Sequence, residues 1–227
     1  MKHIIKTHEP PELQQWFEEQ PVVDDRRINC RYGNLDSSTK DCIRDSLLID
    51  QGWLCCYTGI RITKITSHIE HFKPQSLSRQ LGDHDDVSYV NMFLAYPQNT
   101  PGAKKCPFGA EARGHWYEPD LFINPLDVHC EQSFTYTYSG EMQSAVIGNE
   151  AARTTITRLN LNDGKLKELR SARIDAMLLD DRDGGLTIGD LEMIMSAMEQ
   201  RDDQGMFLEF CFVIRYICAD LLRRVGN

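Results

Sequence analysis

Apolar residues recur at helical spacing near both ends of the chain. In the N-terminal part this spacing predicts a proline-led helix within residues 10–28 and a second helix over residues 37–51, capped by Ser37 or Ser38. The C-terminal part is dominated by the same spacing. It predicts helices over residues 150–159, 164–180, 188–200 and 205–224.

Between these helices the pattern changes to short extended runs. Residues 54–57 and 61–70 are rich in Ile and Thr and flank a Thr-Gly turn, which predicts a β-hairpin. Residues 121–147 alternate aromatic and polar side chains around a Ser-Gly turn. This alternation predicts a second hairpin.

One more helix is predicted in the middle of the chain, where the run VSYVNMFLAY follows two possible capping residues, Asp85 and Asp86. Together the elements predict an α+β protein. Its parts are an N-terminal helical segment at 1–50, a strand-containing core at 51–118, and a hairpin with a C-terminal helical region at 119–227. We expect these parts to form one continuous globular unit.

The composition is that of an ordinary globular protein, with 41% hydrophobic residues and a mean hydropathy of −0.44. No apolar stretch has the length of a signal peptide or of an uninterrupted membrane span, so we expect a cytoplasmic protein without membrane contact. The eight cysteines are then expected to be reduced thiols or metal ligands. Cys211 and Cys218 lie among apolar helix neighbours, which indicates small core residues.

Charge is unevenly distributed along this chain, whose formal net charge is −9. Residues 61–115 contain seven basic and five acidic residues, whereas residues 180–205 contain eight acidic and two basic residues. A protein that coats nucleic acid with its whole surface is therefore disfavoured, and phosphate contacts are expected in the middle of the chain. For the acidic segment and the apolar helix at 207–222, partner docking and core packing remain alternatives.

The acidic segment also resembles a calcium-binding loop in part. Asp181, Asp183 and Glu192 occupy the first, third and twelfth positions of an EF-hand, but the glycine that the sixth position requires is missing. The favoured interpretation is a helix capped by Thr187 or Asp190 after a Gly-Gly turn.

Residues 68–71 bring imidazole and carboxylate groups together. On an extended strand His68 and Glu70 point to the same side, where they suit a divalent cation, and His71 can turn toward the same pocket. Asn91 can hold a histidine ring and direct its free nitrogen toward a water molecule. Strands and a helix around one cation are the plan of a ββα-metal nuclease. The alternative is a polar surface strand.

The stretch IEHFKPQS, preceded by LCCYTG and followed by YVNMFLAY, resembles the HNH endonucleases of the Septu anti-phage system and of retron-associated defence operons. Further landmarks are GHWY, LFINPL, CEQSFTYTYSGEM and LNLN, so the resemblance covers roughly residues 1–170. It implies an HNH ββα-metal core, also called a His-Me finger, embedded in a mainly helical protein.

The resemblance also implies roles for individual residues. His71 would be the general base, Asn91 the residue that orients it, and Glu70 a ligand of Mg²⁺ or Mn²⁺. Glu111 lies where the family has a histidine ligand, and its carboxylate can still bind either ion, with His115 as a fallback ligand. Phosphate contacts are implied at three basic residues, for which ordinary loop charge is the alternative: Lys104, Lys105 and Arg113.

Structural zinc in many HNH proteins is bound by two pairs of cysteines, and each pair is half missing here. Cys55 and Cys106 remain, while Thr58 and Tyr96 stand where their partners are expected. Two thiolates are too few for a closed tetrahedral site, so we expect that the structural zinc has been lost.

The function that the resemblance implies is metal-dependent cleavage of DNA, with RNA such as transfer RNA as an alternative substrate. It further implies an anti-phage effector that works with an SMC-like, ABC-type ATPase subunit, in some systems beside a retron reverse transcriptase and its RNA–DNA product. The alternative is a catalytically impaired adaptor that assembles a defence complex.

Overall fold

The computed structural model describes residues 1–23, 26–98, 102, 104–178 and 186–225. Within these ranges, helices surround three two-stranded antiparallel sheets, which confirms the α+β class. In the same part of the chain, no helix is both long enough and apolar enough to cross a membrane.

The elements of the first half alternate between short helices and short strands. In chain order they are α1 (Pro11–Glu18), β1 (Val22–Val23), β2 (Arg26–Arg27), α2 (Ser37–Gln51), β3 (His68–His71), α3 (Gln75–Leu81), β4 (Met92–Ala95) and α4 (Ala110–Arg113). The second half is a hairpin followed by helices. Its elements are β5 (Phe134–Tyr136), β6 (Met142–Ser144), α5 (Glu150–Arg158), α6 (Gly164–Leu178), α7 (Ile188–Glu199) and α8 (Cys211–Val225).

Helix α2 has the predicted bounds but a different cap. The side chain of Asp36 accepts a hydrogen bond from the backbone N–H of Thr39 at 2.8 Å, so neither Ser37 nor Ser38 caps the helix. Gly52, in the left-handed conformation, ends it as predicted. The first helix is shorter than expected and stops at Glu18.

The predicted hairpin of residues 54–57 with 61–70 was wrong. Leu54 and Arg61 form only an isolated bridge, and β3 pairs with β4 instead. The segment before β3 still contacts this sheet, because the N–H of Cys56 donates to the Leu94 carbonyl at 3.1 Å.

The helix predicted from residue 87 onward was also wrong. Two short 3-10 turns, Asp85–Val87 and Tyr89–Asn91, lead into strand β4, all four residues of which are buried. An apolar run buried on every side has no polar face from which to tell a strand from a helix. Pairing with β3 satisfies the backbone of this run and decides the outcome.

Strands β3 and β4, with helix α3 between them in the chain, and helix α4 form the frame of the site. The antiparallel register pairs His68 with Ala95, Glu70 with Phe93, and His71 with Met92. The polar side chains of β3 therefore lie on a sheet whose second strand is fully buried, which fixes the position of β3.

The C-terminal half largely confirms the predicted elements. The hairpin β5–β6 and helices α5 to α7 lie where they were expected, and Thr187 and Asp190 form a capping box at the start of α7. Two of the three residues of the calcium interpretation, Asp181 and Asp183, lie outside the described residues, whereas the third, Glu192, lies in α7.

Helix α8 is a core element, which favours core packing over docking for its apolar face. Cys211, Val213, Ile214, Ile217 and Cys218 are all buried. The two cysteines are thus the small core residues that the sequence indicated.

Replacement of Gly140 by Ala tests the packing of the β5–β6 turn on α6. Gly140 has a φ of +76°, and an added Cβ would collide with the backbone carbonyl of Lys167. We expect Gly140→Ala to lower the free energy of unfolding by clearly more than about 1 kcal/mol. Gly148→Ala is the matched control, since it has a φ of +90° but nothing within 4 Å of the added Cβ. Equal losses in urea denaturation would contradict this packing.

Candidate active site

A cleft of about 330 Å³, called here the β3 cleft, opens where β3, the start of α3 and the end of α4 meet. Its polar lining includes His68, Glu70, His71, Gln75, Arg113 and His115. The three predicted residues of β3 therefore share one cavity. The fallback ligand His115 lines it as well.

His71 is the last residue of β3, and its buried ring is held on several sides. Its Nε2 lies 3.0 Å from the backbone carbonyl of Asp86, and Tyr32 packs edge-on at 4.7 Å between ring centroids. Because a carbonyl oxygen only accepts hydrogen bonds, Nε2 carries the proton. The lone pair is then on Nδ1, which lies 3.2 Å from the side-chain nitrogen of Gln75. Burial lowers the pKa of His71 and favours the neutral ring.

Asn91 does not contact the ring of His71, contrary to the direct hydrogen bond that the sequence suggested. Its side-chain oxygen accepts from the backbone N–H of Lys73 at 2.7 Å. Its side-chain nitrogen donates to the Lys73 carbonyl at 3.0 Å and to the Asp85 carbonyl at 2.8 Å. Asn91 thus fixes the loop next to Asp86. It acts on the His71 ring only indirectly, because the ring contacts the carbonyl of Asp86 and Asn91 holds the neighbouring carbonyl of Asp85.

Asp86, which sequence reasoning treated as a possible helix cap, is held on its other side. Its buried carboxylate accepts from the backbone N–H of Tyr32 at 3.1 Å and from Arg31 at 3.2 Å. These contacts hold the residue whose carbonyl orients the imidazole. The sequence gives no local signal for this link, because Arg31 and Tyr32 lie more than fifty positions from Asp86 along the chain.

Glu70 and His68 lie side by side, as the alternation of β3 predicted. His68 Nδ1 donates to the Pro97 carbonyl at 2.5 Å, which turns Nε2 to within 3.6 Å of a Glu70 carboxylate oxygen. Burial opposes a charged ring here. The nearby Glu70 carboxylate and the hydrogen bond to the Pro97 carbonyl nevertheless raise the pKa of His68.

Arg113 lies inside the protein and not at its surface, which departs from the phosphate contact that we predicted. Its guanidinium donates to the carbonyls of Phe72 at 2.7 Å and His71 at 2.9 Å, and it forms an ion pair with the second oxygen of Glu70. One buried cation thus connects α4 to the end of β3, where the candidate base lies.

Glu111 lies on the other side of α4 from the cleft. Its carboxylate accepts the backbone N–H of Cys106, and together with Lys104 and Lys105 it lines a different cavity. The structure therefore does not bring the predicted third ligand to Glu70 and His68. Glu111 and Arg113 are two residues apart on one helical turn, so their side chains lie on opposite sides of α4.

The β3 cleft contains one pair of neighbouring candidate metal ligands, Glu70 and His68. Among the described residues, no group of three or more His, Cys, Asp or Glu side chains is placed to hold a metal ion. A carboxylate oxygen of Glu70 and Nε2 of His68 nevertheless fit Mg²⁺ or Mn²⁺, since such ions take few protein ligands and complete their shell with water and phosphate. The carbonyl that accepts from His68 Nδ1 is the partner that a metal-binding histidine requires.

The cysteines of the predicted zinc remnant lie beside this sheet. Cys55 Sγ accepts from the backbone N–H of Tyr96 at 3.3 Å. Burial opposes the thiolate, but hydrogen bonds from Cys56, Thr58 and Tyr96 lower the pKa of Cys55 to about 6. Tyr96 packs on Phe108, so an aromatic contact lies where the family pattern has a cysteine. The loss of zinc stays a prediction.

Comparison with known proteins adds no further assignment. No protein-family model matches the chain, and no curated protein matches it.

Arg113→Gln tests the buried connection between α4 and β3. The change leaves the Glu70 carboxylate without its cation, so we expect a loss of about 3 kcal/mol or more in the free energy of unfolding. Arg79→Gln is the matched control. Arg79 lines the same cleft but is exposed, and its replacement should cost less than about 0.5 kcal/mol.

A second substitution separates charge from packing in this test. Adding Glu70→Gln to Arg113→Gln removes the uncompensated charge and should recover part of the lost stability. Equal effects of Arg113→Gln and Arg79→Gln in chemical denaturation would contradict the role given to Arg113.

Proposed function

We propose that this chain is a metal-dependent HNH endonuclease that hydrolyses phosphodiester bonds of DNA, with RNA such as transfer RNA as the alternative substrate. The observation that supports this most is a single cleft in which the neutral His71 imidazole lies beside the Glu70–His68 donor pair. A base next to two ligands for a divalent cation suits hydrolysis of a phosphodiester. The antiparallel pair β3–β4 followed by α4 would correspond to a ββα-metal core in which helix α3 is inserted between the two strands.

The sequence resemblance supports the biological setting of this proposal. In that setting the chain is the nuclease subunit of a cytoplasmic anti-phage system and acts under the control of an SMC-like, ABC-type ATPase. A retron reverse transcriptase and its RNA–DNA product accompany it in some systems. The net charge of −9 fits a subunit that relies on a partner for much of its grip on nucleic acid.

In the proposed hydrolysis, the side chains of the β3 cleft have different roles. Nδ1 of His71 accepts a proton from a water molecule that replaces the Gln75 amide, and the Asp86 carbonyl stabilises the imidazolium through Nε2–H. Arg79, exposed at the edge of the cleft, is available to contact a phosphate.

Glu70 and His68 would hold the divalent cation, which when bound neutralises charge that develops on the cleaved phosphate. Arg113 keeps Glu70 in place through the oxygen that does not face His68. It also holds the backbone at His71, so that the base and the ligand pair keep a fixed separation.

His71→Ala tests the general base. In assays with DNA and transfer RNA in Mg²⁺ or Mn²⁺, with and without the proposed ATPase partner, this substitution should slow cleavage by about a hundredfold to ten-thousandfold. His129→Ala is the control, because His129 is exposed and does not line the β3 cleft. Cleavage by the His71→Ala chain at the rate of the unmodified protein would contradict the proposal.

The pH dependence of cleavage tests the neutral state of His71. Burial lowers its pKa from the ordinary value of 6.5, so the proton-accepting form persists at neutral pH. We expect kcat/KM to be level near neutrality and to fall about tenfold per pH unit only well below 6.5. The measurement is made at saturating Mg²⁺ or Mn²⁺, so that protonation of the ligand His68, whose pKa is raised, does not limit metal binding. Under that condition, a fall that begins above 6.5 would contradict the assignment.

A catalytically impaired adaptor is the second candidate, and two contacts favour it. Arg113 occupies one oxygen of Glu70, and the Gln75 amide faces the lone pair of His71. For an adaptor, no cleavage should appear under any of these conditions, and His71→Ala should leave both assembly with the ATPase and protection against phage unchanged.

A further inference from the structure

A second cavity, called here the lysine pocket, lies on the opposite side of α4 from the β3 cleft. It has a volume of about 490 Å³. Its lining includes Tyr96, Phe108, Lys104, Lys105, Lys165 and Glu111. Such a volume is large enough for one nucleotide.

One wall of the lysine pocket is aromatic. The rings of Tyr96 and Phe108 are nearly parallel, at 15° to each other, with centroids 6.4 Å apart. Phe108 is buried and Tyr96 is partly exposed, so the wall is rigid but accessible. A half-exposed ring backed by another ring offers a surface on which a nucleobase can stack.

Among the described residues, no carboxylate forms an ion pair with a cation of the lysine pocket. Some lysines elsewhere in the chain are paired, as Lys64 is with Asp45 and Lys73 is with Asp83. Within the described part of the chain, Lys104, Lys105 and Lys165 form no ion pair, although Glu111 lines the same cavity. Three lysines against one carboxylate leave an excess of positive charge that suits phosphate.

The lysine pocket and the β3 cleft share structural elements. Pro97 lines the lysine pocket, and its carbonyl accepts from His68, which lines the cleft. Helix α4 separates the two cavities, with Glu111 on one side and Arg113 on the other. One flexible strand could therefore occupy both cavities.

We propose that the lysine pocket binds one nucleotide of a single-stranded nucleic acid, with its base on Tyr96 and its phosphates at the lysines. The inference rests on the proposed function, and it names the substrate class as single-stranded DNA or RNA whose next phosphate reaches the β3 cleft. A paired base inside a duplex is covered on both faces and cannot stack on a protein ring.

A binding measurement without catalysis tests this proposal. The full chain with His71→Ala is titrated without divalent cations against labelled oligothymidylate, oligouridylate and a blunt DNA duplex, and fluorescence anisotropy is recorded. Both single strands should bind at least about tenfold more tightly than the duplex. The same titration with oligodeoxyuridylate, which differs from oligouridylate only in the 2′-OH, then separates a preference for DNA from a preference for RNA.

Substitutions in the lysine pocket then locate the binding. Tyr96→Leu should weaken single-strand binding by about tenfold. Lys104→Gln, Lys105→Gln and Lys165→Gln should each lower the slope of log affinity against log salt by about 0.7. Lys64→Gln, an exposed lysine outside both cavities, is the charge-matched control and should weaken binding less than these.

Duplex binding as tight as single-strand binding, or pocket variants that bind like Lys64→Gln, would overturn the inference. If Tyr96→Leu proves unstable in a thermal melt, the three lysine variants decide. Displacement of the oligonucleotide by polyglutamate at equal charge would likewise count against a nucleotide site. Cleavage without selective single-strand binding overturns this inference alone, whereas selective binding without cleavage overturns only the proposed activity.

Discussion

The hydrogen bond from the His71 ring to the backbone carbonyl of Asp86 determines which imidazole nitrogen is free for chemistry. Several hydrogen bonds in the surrounding loop hold that carbonyl in place. Asn91 binds the neighbouring Asp85 carbonyl and both backbone groups of Lys73, and Arg31 and the Tyr32 N–H bind the Asp86 carboxylate. The ring of His71 is therefore oriented by a backbone carbonyl. Side chains act on it indirectly, because they hold the loop that carries this carbonyl.

A buried cation organises the other side of the cleft. Arg113 uses its guanidinium to hold Glu70 and the carbonyls at the end of β3. A planar group with several fixed donors can bind a carboxylate and two carbonyls at once, which an ammonium group cannot do with the same geometry. The position of α4 and the position of the candidate base are thus coupled through one side chain.

Parts of this site could be predicted from the sequence because they depend on local geometry. Strand alternation places His68 and Glu70 on one side of β3, and in the structure His68 Nε2 lies 3.6 Å from a carboxylate oxygen of Glu70. The helices of the C-terminal half follow from apolar spacing over many residues. Asn91 was identified as an orienting residue, although its effect passes through the loop and not through the ring.

Other parts depend on contacts between distant positions, and the sequence alone does not reveal them. Strand β4 is a short, fully buried apolar run whose conformation is decided by β3. The sequence predicts Arg113 as a phosphate contact or an ordinary loop charge and Glu111 as a metal ligand, yet helix α4 turns the first inward and the second toward the lysine pocket. Only the packed fold distinguishes a buried guanidinium from an exposed one.

The ring-nitrogen NMR spectrum of His71, assigned by comparison of isotope-labelled protein with a His71→Gln variant, shows which ring nitrogen carries the proton. At neutral pH we expect a proton on Nε2 and a bare Nδ1, seen as two well-separated nitrogen shifts with a single proton coupling. A proton on Nδ1, or averaged shifts from two exchanging tautomers, would contradict it.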